Sequence, residues 1–415
     1  MDFPQNDAVP PPIKVVRVIT RLNIGGPAIH AIVLTRALNG AAPFESTLVS
    51  GTTGPFEGDM LDFAHARGVE PVMVPALGRE ISPLEDLGAL ARMVQIVHRE
   101  KPHVVHTHMA KAGTVGRLAA RICGVPLIVH TYHGHVWNRY FSPAKTRLFL
   151  TIERALGLVT NRIIAVGDGQ RAEIASYGVA PMHKLVTIRL GLELGQFLQA
   201  ERARGELRRE LGIADDVPLI GIAGRLVPIK ATDVFLRAAV SIRALVPNAQ
   251  FLIIGDGERR HELEALTDQL GLHDCVRFLG WRRDMLRVYA DLDVVALTSL
   301  NEGSPVVLIE ALASARPVVS TAVGGVPEVV VDGQTGLTVP VSDVGALAEA
   351  IVQLLRDPLM AKRLASAGRQ HVYPGYDSSR LVDDVKDLYL RELAALGRLP
   401  KEASTSTRPS NGVTA

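Results

Sequence analysis

Cysteine is almost missing: Cys123 and Cys275 are the only two in 415 residues, and no metal-ligand spacing relates them. That excludes a disulfide scaffold and a cysteine-ligated metal site, and it suits a reducing cytosol. Long apolar runs are missing too. The longest stretch without Asp, Glu, Lys or Arg, 122–138, is interrupted by Pro126, Gly134 and three histidines, so it cannot form a spanning helix. The start, MDFPQNDAVPPP, lacks the basic-then-apolar pattern of a secretion signal. The expected location is therefore the cytoplasm. A net charge of only +2 gives no reason to expect a nucleic-acid partner. With 47% hydrophobic and 21% charged residues, the chain has ample apolar surface to bury and is not disordered throughout.

What is present is an alternation. At roughly 150 residues per domain, the length suggests two or three domains. Short β-branched runs at 14–20, 46–50, 71–74, 103–107, 127–131, 162–166 and 185–188 alternate with helical patterns such as 28–38, 84–99 and 144–158. The series restarts at 218–224 and continues at 251–255, 276–280, 294–299, 317–321 and 336–340. This predicts an α/β protein with two Rossmann-like, doubly wound parallel sheets facing a central cleft. The divisions are a Pro-rich lead (1–12), a first domain (13–196), a charged, helix-prone linker (197–216), a second domain (217–375), a patterned final helix (376–398) after Pro374–Gly375, and a low-complexity tail (399–415). Periodicity leaves open which domain the final helix packs on. Residues 1–190 hold 20 Lys+Arg against 14 Asp+Glu, and 10 of the 13 histidines; the remainder holds 25 against 29. Such a split hints at two domains handling different ligands.

Ligands of such sheets sit at the carboxyl ends of the strands, and four groups of residues fall there. In IGIAGRLVPIK, Arg225 and Lys230 follow a strand at a helix start, where two cations suit a diphosphate; two surface cations capping a helix is the plain alternative. In SLNEGSPVVLIEALA, Glu302 lies in a loop, the helix is expected to open at Ser304–Pro305, and Glu310 is expected about two turns in. Carboxylates would repel phosphate, so Glu302 and Glu310 suit sugar and ribose hydroxyls. Glu310 stands among Leu308, Ile309, Ala311 and Leu312, where an acid needs a partner. Gly25–Gly26 follows the first strand and permits close backbone approach, although a tight turn explains it equally. Histidines 103, 106, 108, 130, 133 and 135 cluster after two strands, and His133, beside Gly134, is the best placed to touch a substrate. They lack the i, i+4 helical spacing of a zinc site. Asp291-Leu292-Asp293 precedes its strand and so is rejected as a metal site, and Gly255-Asp256-Gly257 lacks the rest of a dinucleotide fingerprint. The aromatic, basic stretch 136–158, with Trp137, Tyr140 and Phe149 among Arg139, Lys145 and Arg147, suits either an ordinary amphipathic helix or an anionic membrane surface.

In this order, IGIAGRLVPIK, FLIIGDGE, VRFLGW, NEGSPVVLIEALASARPVVST, AVGGVPEVV and DGQTGLTVP resemble the retaining glycosyltransferases of family 4, which have the GT-B fold. The likeness spans about residues 13–395. The first half, with HTHMAKAG and HTYHGHVW, resembles bacterial members that build surface polysaccharide or lipid-linked glycans. The resemblance implies that Gly25 and Gly26 line the cleft, Arg225 and Lys230 hold a donor diphosphate, and Glu302 contacts the transferred sugar. It implies that amides near Gly303, Ser304 and Pro305 face the donor, Glu310 binds ribose, and the backbone near Trp281–Arg282 and the side chain of Leu308 lie by the base and ribose. His133 matches the family's active-site histidine, and the final helix would cross back to the first domain.

Three positions depart from the pattern: Gly167-Asp168 replaces a Ser-Glu type pair, Arg189-Leu190-Gly191 an Asn-Gly, and Ala231 a glycine. The implied reaction moves a sugar, from UDP by family frequency, to a glycan or lipid-linked acceptor. It needs no metal or cofactor and takes place in the cytoplasm, with a peripheral site at the inner face of the plasma membrane as an option. The competing readings are a nucleotide-sugar epimerase of the same shape and a non-catalytic nucleotide-sugar-binding protein.

Overall fold

The computed structural model describes residues 11–54, 57–78, 82–134 and 142–399. In the first half, β1 (Ile13–Arg21), β2 (Phe44–Gly51), β3 (Val72–Met73), β4 (Val104–His108), β5 (Leu127–Tyr132), β6 (Arg162–Ala165) and β7 (Leu185–Thr187) form one sheet in the order β3-β2-β1-β4-β5-β6-β7. In the second half, β8 (Leu219–Ala223), β9 (Gln250–Ile254), β10 (Val276–Gly280), β11 (Val294–Leu297), β12 (Val318–Thr321) and β13 (Leu337–Val339) form another, ordered β10-β9-β8-β11-β12-β13. Every strand pairing within the two sheets is parallel. The β-branched runs read from the sequence supply all of these strands. Helices cover both faces, so the central strands are buried on both sides and read as nearly continuous apolar runs.

The segment expected as a linker is ordered. Helices at Leu194–Ala203 and Glu206–Leu211 lay Phe197 and Leu207 into the core of the second half, beside Leu219, Leu252 and Tyr289, and Ile213 follows them there. Its charge is used locally. Asp291 accepts from the Gly205 and Arg208 amides, and Asp293 accepts from the Arg208 guanidinium and the Leu219 amide. The Asp-x-Asp pair thus ties the segment to the amino end of β11.

The final helix, Ser378–Ala395, leaves the second half and packs against the first sheet. Leu381, Val385, Leu388 and Tyr389 join Ile13, Val15, Val104 and Val129 in one core. The chain crosses between halves twice, side by side: the Leu192 amide donates to the Tyr376 carbonyl at 2.9 Å, and the Ser378 amide to the Leu192 carbonyl at 2.8 Å. Leu388 is 1% exposed, so Leu388→Ala should destabilise the first half by about 2–5 kcal/mol. Urea denaturation followed by circular dichroism would check this as a lower midpoint.

Candidate active site

The carboxyl ends of the two sheets face each other, and the loops there hold most of the residues singled out above. After β8, Gly224, Arg225 and Leu226 curve round a small hollow, and Lys230 closes its side from the 3₁₀ turn Pro228–Lys230. Lys230 Nζ lies 2.5 Å from Glu302 Oε1, and the Ser299 hydroxyl donates to the same oxygen at 2.5 Å. The two groups assigned separate partners, phosphate and sugar, are therefore an ion pair, both half-buried. The loop carrying Glu302 is pinned on several sides. Leu300 N donates to Ile229 O at 2.9 Å, Gly325 N to Glu302 O at 3.0 Å, and Thr321 Oγ1 to Ser299 O at 2.6 Å.

Gly303 is where this loop meets the first half. A β-carbon there would stand 2.0 Å from the His133 carbonyl oxygen and 3.2 Å from Gly134 Cα. Only glycine fits so close a backbone approach. On the neighbouring rim, a β-carbon on Gly26 would lie 3.0 Å from Val306 Cγ2, so the first glycine loop abuts the start of the helix Val306–Ala313. That helix begins later than expected. Pro305 is its cap and Ser304 lies in the loop, so Glu310 stands just over one turn in, not two.

Glu310 accepts from the Tyr289 hydroxyl at 3.0 Å. Burial pushes its carboxyl up to about 7, against the Tyr289 hydrogen bond, which lowers it. Leu308 has no exposed surface and packs among the core of the second half, so its side chain does not line the cleft as expected. The side chain of Arg282 is held by Glu210 and Asp284, which leaves only the backbone of Arg282 available to a base. Trp281 itself is half-buried across from Gly58.

The first half adds groups that sequence reading missed. Arg17 in β1 donates to His106 Nδ1 at 3.0 Å and to His108 Nε2 at 3.3 Å, and Tyr389 of the final helix lies 2.6 Å from His106 Nδ1. His108 Nδ1 lies 3.0 Å from His133 Nε2. His30, from the first helix, packs edge-on against His133 and His108 at 4.8 and 5.4 Å between ring centres. Burial, with the charge of Arg17 second, brings His133 down to about 3; burial likewise lowers His30, His106 and His108. One ring nitrogen each from His30, His108 and His133 lies within 4.8 Å of the others. A metal fits this trio badly. Arg17 can only donate, so His108 Nε2 is an acceptor; a metal on its Nδ1 would require an imidazolate, beside a buried cation where a carboxylate normally stands. His135, Trp137, Arg139 and Tyr140 lie outside the described residues.

The departure at Gly167-Asp168 also finds a use. Glu328 of the second half accepts from the Asp168 amide at 3.1 Å and the Gly169 amide at 2.9 Å, at the start of the helix Asp168–Ser176. Gly167 leaves room for that carboxylate, and Asp168 in turn accepts from the Thr187 hydroxyl at 2.6 Å.

Two facing parallel-sheet domains, joined by a crossover helix and lined at the cleft by cations and paired acids, define a GT-B enzyme architecture. Comparison with known proteins agrees. The model of the Glycosyl transferase 4-like domain matches residues 25–191, and that of Glycosyl transferases group 1 matches 203–371. The UDP-Gal:alpha-D-GlcNAc-diphosphoundecaprenol alpha-1,3-galactosyltransferase of Escherichia coli is 30% identical over 352 residues, 84% of this chain and 89% of the relative. A D-inositol 3-phosphate glycosyltransferase of Actinosynnema mirum is 30% identical over 402 residues, 91% of each. Among solved structures, Anabaena HepE in complex with UDP-glucose superposes with a TM-score of 0.78 at 22% identity, covering 91% of this chain and 99% of its own. The chain belongs to the family 4 type of GT-B glycosyltransferases.

The Glu310 geometry generates a pH prediction. The folded carboxyl titrates near 7 and the unfolded one near 4.5. As pH rises from about 4.5 to 7, the unfolded chain gives up this proton while the folded chain keeps it. Stability is therefore lost across that window and is level above it. Glu310→Gln should remove this loss, so the variant's melting temperature should gain on the wild type up to about pH 7 and then hold a constant lead. Thermal unfolding across that range checks it.

Proposed function

We propose that this glycosyltransferase moves a sugar from a UDP-sugar, with retention at C1, to a glycan or lipid-linked acceptor in surface polysaccharide synthesis. The observation that carries the reading is the Lys230–Glu302 pair held against the Arg225 loop, with Gly303 butted on His133 across the cleft. In this reading Arg225, Lys230 and the free amides at the start of Val306–Ala313 stabilise the leaving diphosphate, so no metal is needed. Glu302 takes hydroxyl donors of the sugar while staying paired to Lys230. Glu310 takes the ribose hydroxyls. The backbone beside Trp281 faces the base, and Gly25–Gly26 and His133 close the sugar from the other side. With water excluded, the acceptor hydroxyl attacks the front face of C1 and the departing phosphate takes its proton. A relative that acts on a GlcNAc-diphosphoundecaprenol supports the lipid-linked acceptor.

Binding of UDP, GDP and ADP, followed by calorimetry, tests the donor. UDP should bind most tightly, and Arg225→Ala should weaken it by roughly tenfold or more, since a hydrogen bond to a charged group contributes about 1.5–3 kcal/mol. Lys230→Ala and Glu302→Ala should abolish measurable transfer; normal transfer by either variant would sink these roles. Epimer formation from UDP-GlcNAc without acceptor would replace the transferase reading with the epimerase one.

A peripheral membrane site is part of the same proposal. Among the described residues no helix is long and apolar enough to cross a membrane. The helices Ala110–Ile122 and Pro143–Val159, packed on each other, leave Ile122 exposed beside Arg121 and Leu148 exposed beside Arg147. That mixture supports contact with an anionic, lipid-bearing surface. The protein should co-sediment with phosphatidylglycerol vesicles more than with phosphatidylcholine ones, and Leu148→Ser with Arg147→Ser should reduce this.

A further inference from the structure

Arg17 stands in the middle of β1 with no exposed surface, and the hydrogen-bond partners its guanidinium has are neutral: His106, His108 and Tyr389. Its Nε has none. A buried cation is costly unless well paired, so what it points at is informative. A guanidinium carries donors only, and this fixes the direction of every bond around it. His106 Nδ1 accepts, from Arg17 at 3.0 Å and from the Tyr389 hydroxyl at 2.6 Å; its proton is therefore on Nε2 and is donated to Thr131 Oγ1 at 2.6 Å. His108 Nε2 also accepts from Arg17, so neutral His108 carries its proton on Nδ1. That proton faces His133 Nε2 at 3.0 Å. His133 Nε2 is then an acceptor as well, and its own proton sits on Nδ1.

We propose that Arg17, acting through His108, holds His133 as the Nδ1–H tautomer, so that His133 meets the donor's sugar or phosphate oxygens as a hydrogen-bond donor and not as a general base. This rests on the reading in which His133 touches the donor. The ring's unprotonated nitrogen, Nε2, is turned to His108 Nδ1 at 3.0 Å, so it is not the nitrogen that faces an acceptor hydroxyl and is not placed to take its proton. What it offers is a fixed N–H beside an oxygen that gains charge as the glycosidic bond breaks. Burial of His108 and His133, which disfavours their charged forms, keeps both rings neutral and the order of donors intact. Arg17 and His108 are positioning residues: neither needs to touch the substrate. The order parallels the general rule that the bond made at one imidazole nitrogen sets what the other can do.

The test uses the full chain labelled with ¹⁵N-histidine. Long-range ¹H–¹⁵N spectra distinguish the tautomers, and His133→Asn identifies the His133 signals by their loss. The wild type should show His133 as Nδ1–H. His108→Phe should release that preference and lower kcat by roughly tenfold to a hundredfold, the effect of one strong hydrogen bond, with KM for the nucleotide-sugar changed by less than about twofold. His108→Asn, whose amide N–H can replace the donor, should recover more of the rate than Phe does, although Phe fills the space better. An Nε2–H His133 in the wild type overturns the proposal, as does a His108→Phe variant with unchanged tautomer and rate. Because Arg17→Met removes a buried core group and can fail to fold, the His108 pair carries the decision. If UDP-sugars neither bind nor react while His133 is still Nδ1–H, the donor reading fails and the relay stands.

Discussion

The two halves of this glycosyltransferase meet at a point where no side chain fits. The Gly303 backbone lies against the His133 carbonyl, and on its other side a β-carbon on Gly325 would fall 1.9 Å from the Gly303 carbonyl oxygen. Three backbone segments from two domains are stacked there with nothing between them. This contact sets the width of the cleft. It brings Glu302 and its partner Lys230 against the first domain, at the main chain of His133 and Gly134. Any side chain at Gly303 would wedge the halves apart, whatever its chemistry.

Charge at the cleft is arranged by pairing and not by totals. The second half carries more acid than base, yet its cleft presents Arg225 and Lys230. One of these is already neutralised by Glu302. Burial pushes the Glu310 carboxyl up to about 7, against the hydrogen bond from the Tyr289 hydroxyl. In the first half the cation is Arg17, buried in β1 and bonded to two imidazoles and the Tyr389 hydroxyl. Net charge is therefore a poor guide to the charge that the cleft presents in either half. Distances of a few ångströms between particular groups decide it.

The architecture was legible because parallel strands buried on both faces must be β-branched and apolar, and runs such as IGIAG and FLIIG can do little else. The cations and acids of the second half were legible for a related reason: they interrupt apolar patterns at strand ends, where ligands bind. The first half concealed more. Arg17 in KVVRVIT looks like one polar residue in a strand, and nothing local shows that it points at histidines 89 and 91 residues away. His30 looks like an ordinary helical position. The Gly303–His133 contact joins residues far apart in the chain, and spacing carries no trace of it. Leu308 misled in the opposite direction: at its place in the motif it suggested a pocket wall, but helix periodicity turns it into the core.

The crossing points of the chain add one consequence. Leu192 and the residues flanking Asp377 are bonded side by side, so both covalent connections between the halves run through the same few ångströms. Two connections set far apart would clamp the domains rigidly. Two set together act as a single pivot, and any opening must swing about it, with displacement growing with distance from that edge. The Glu328 contact at residues 168 and 169 and the Gly303–His133 contact then lie along one lever. The latch that lets go first decides which end of the slot admits a molecule.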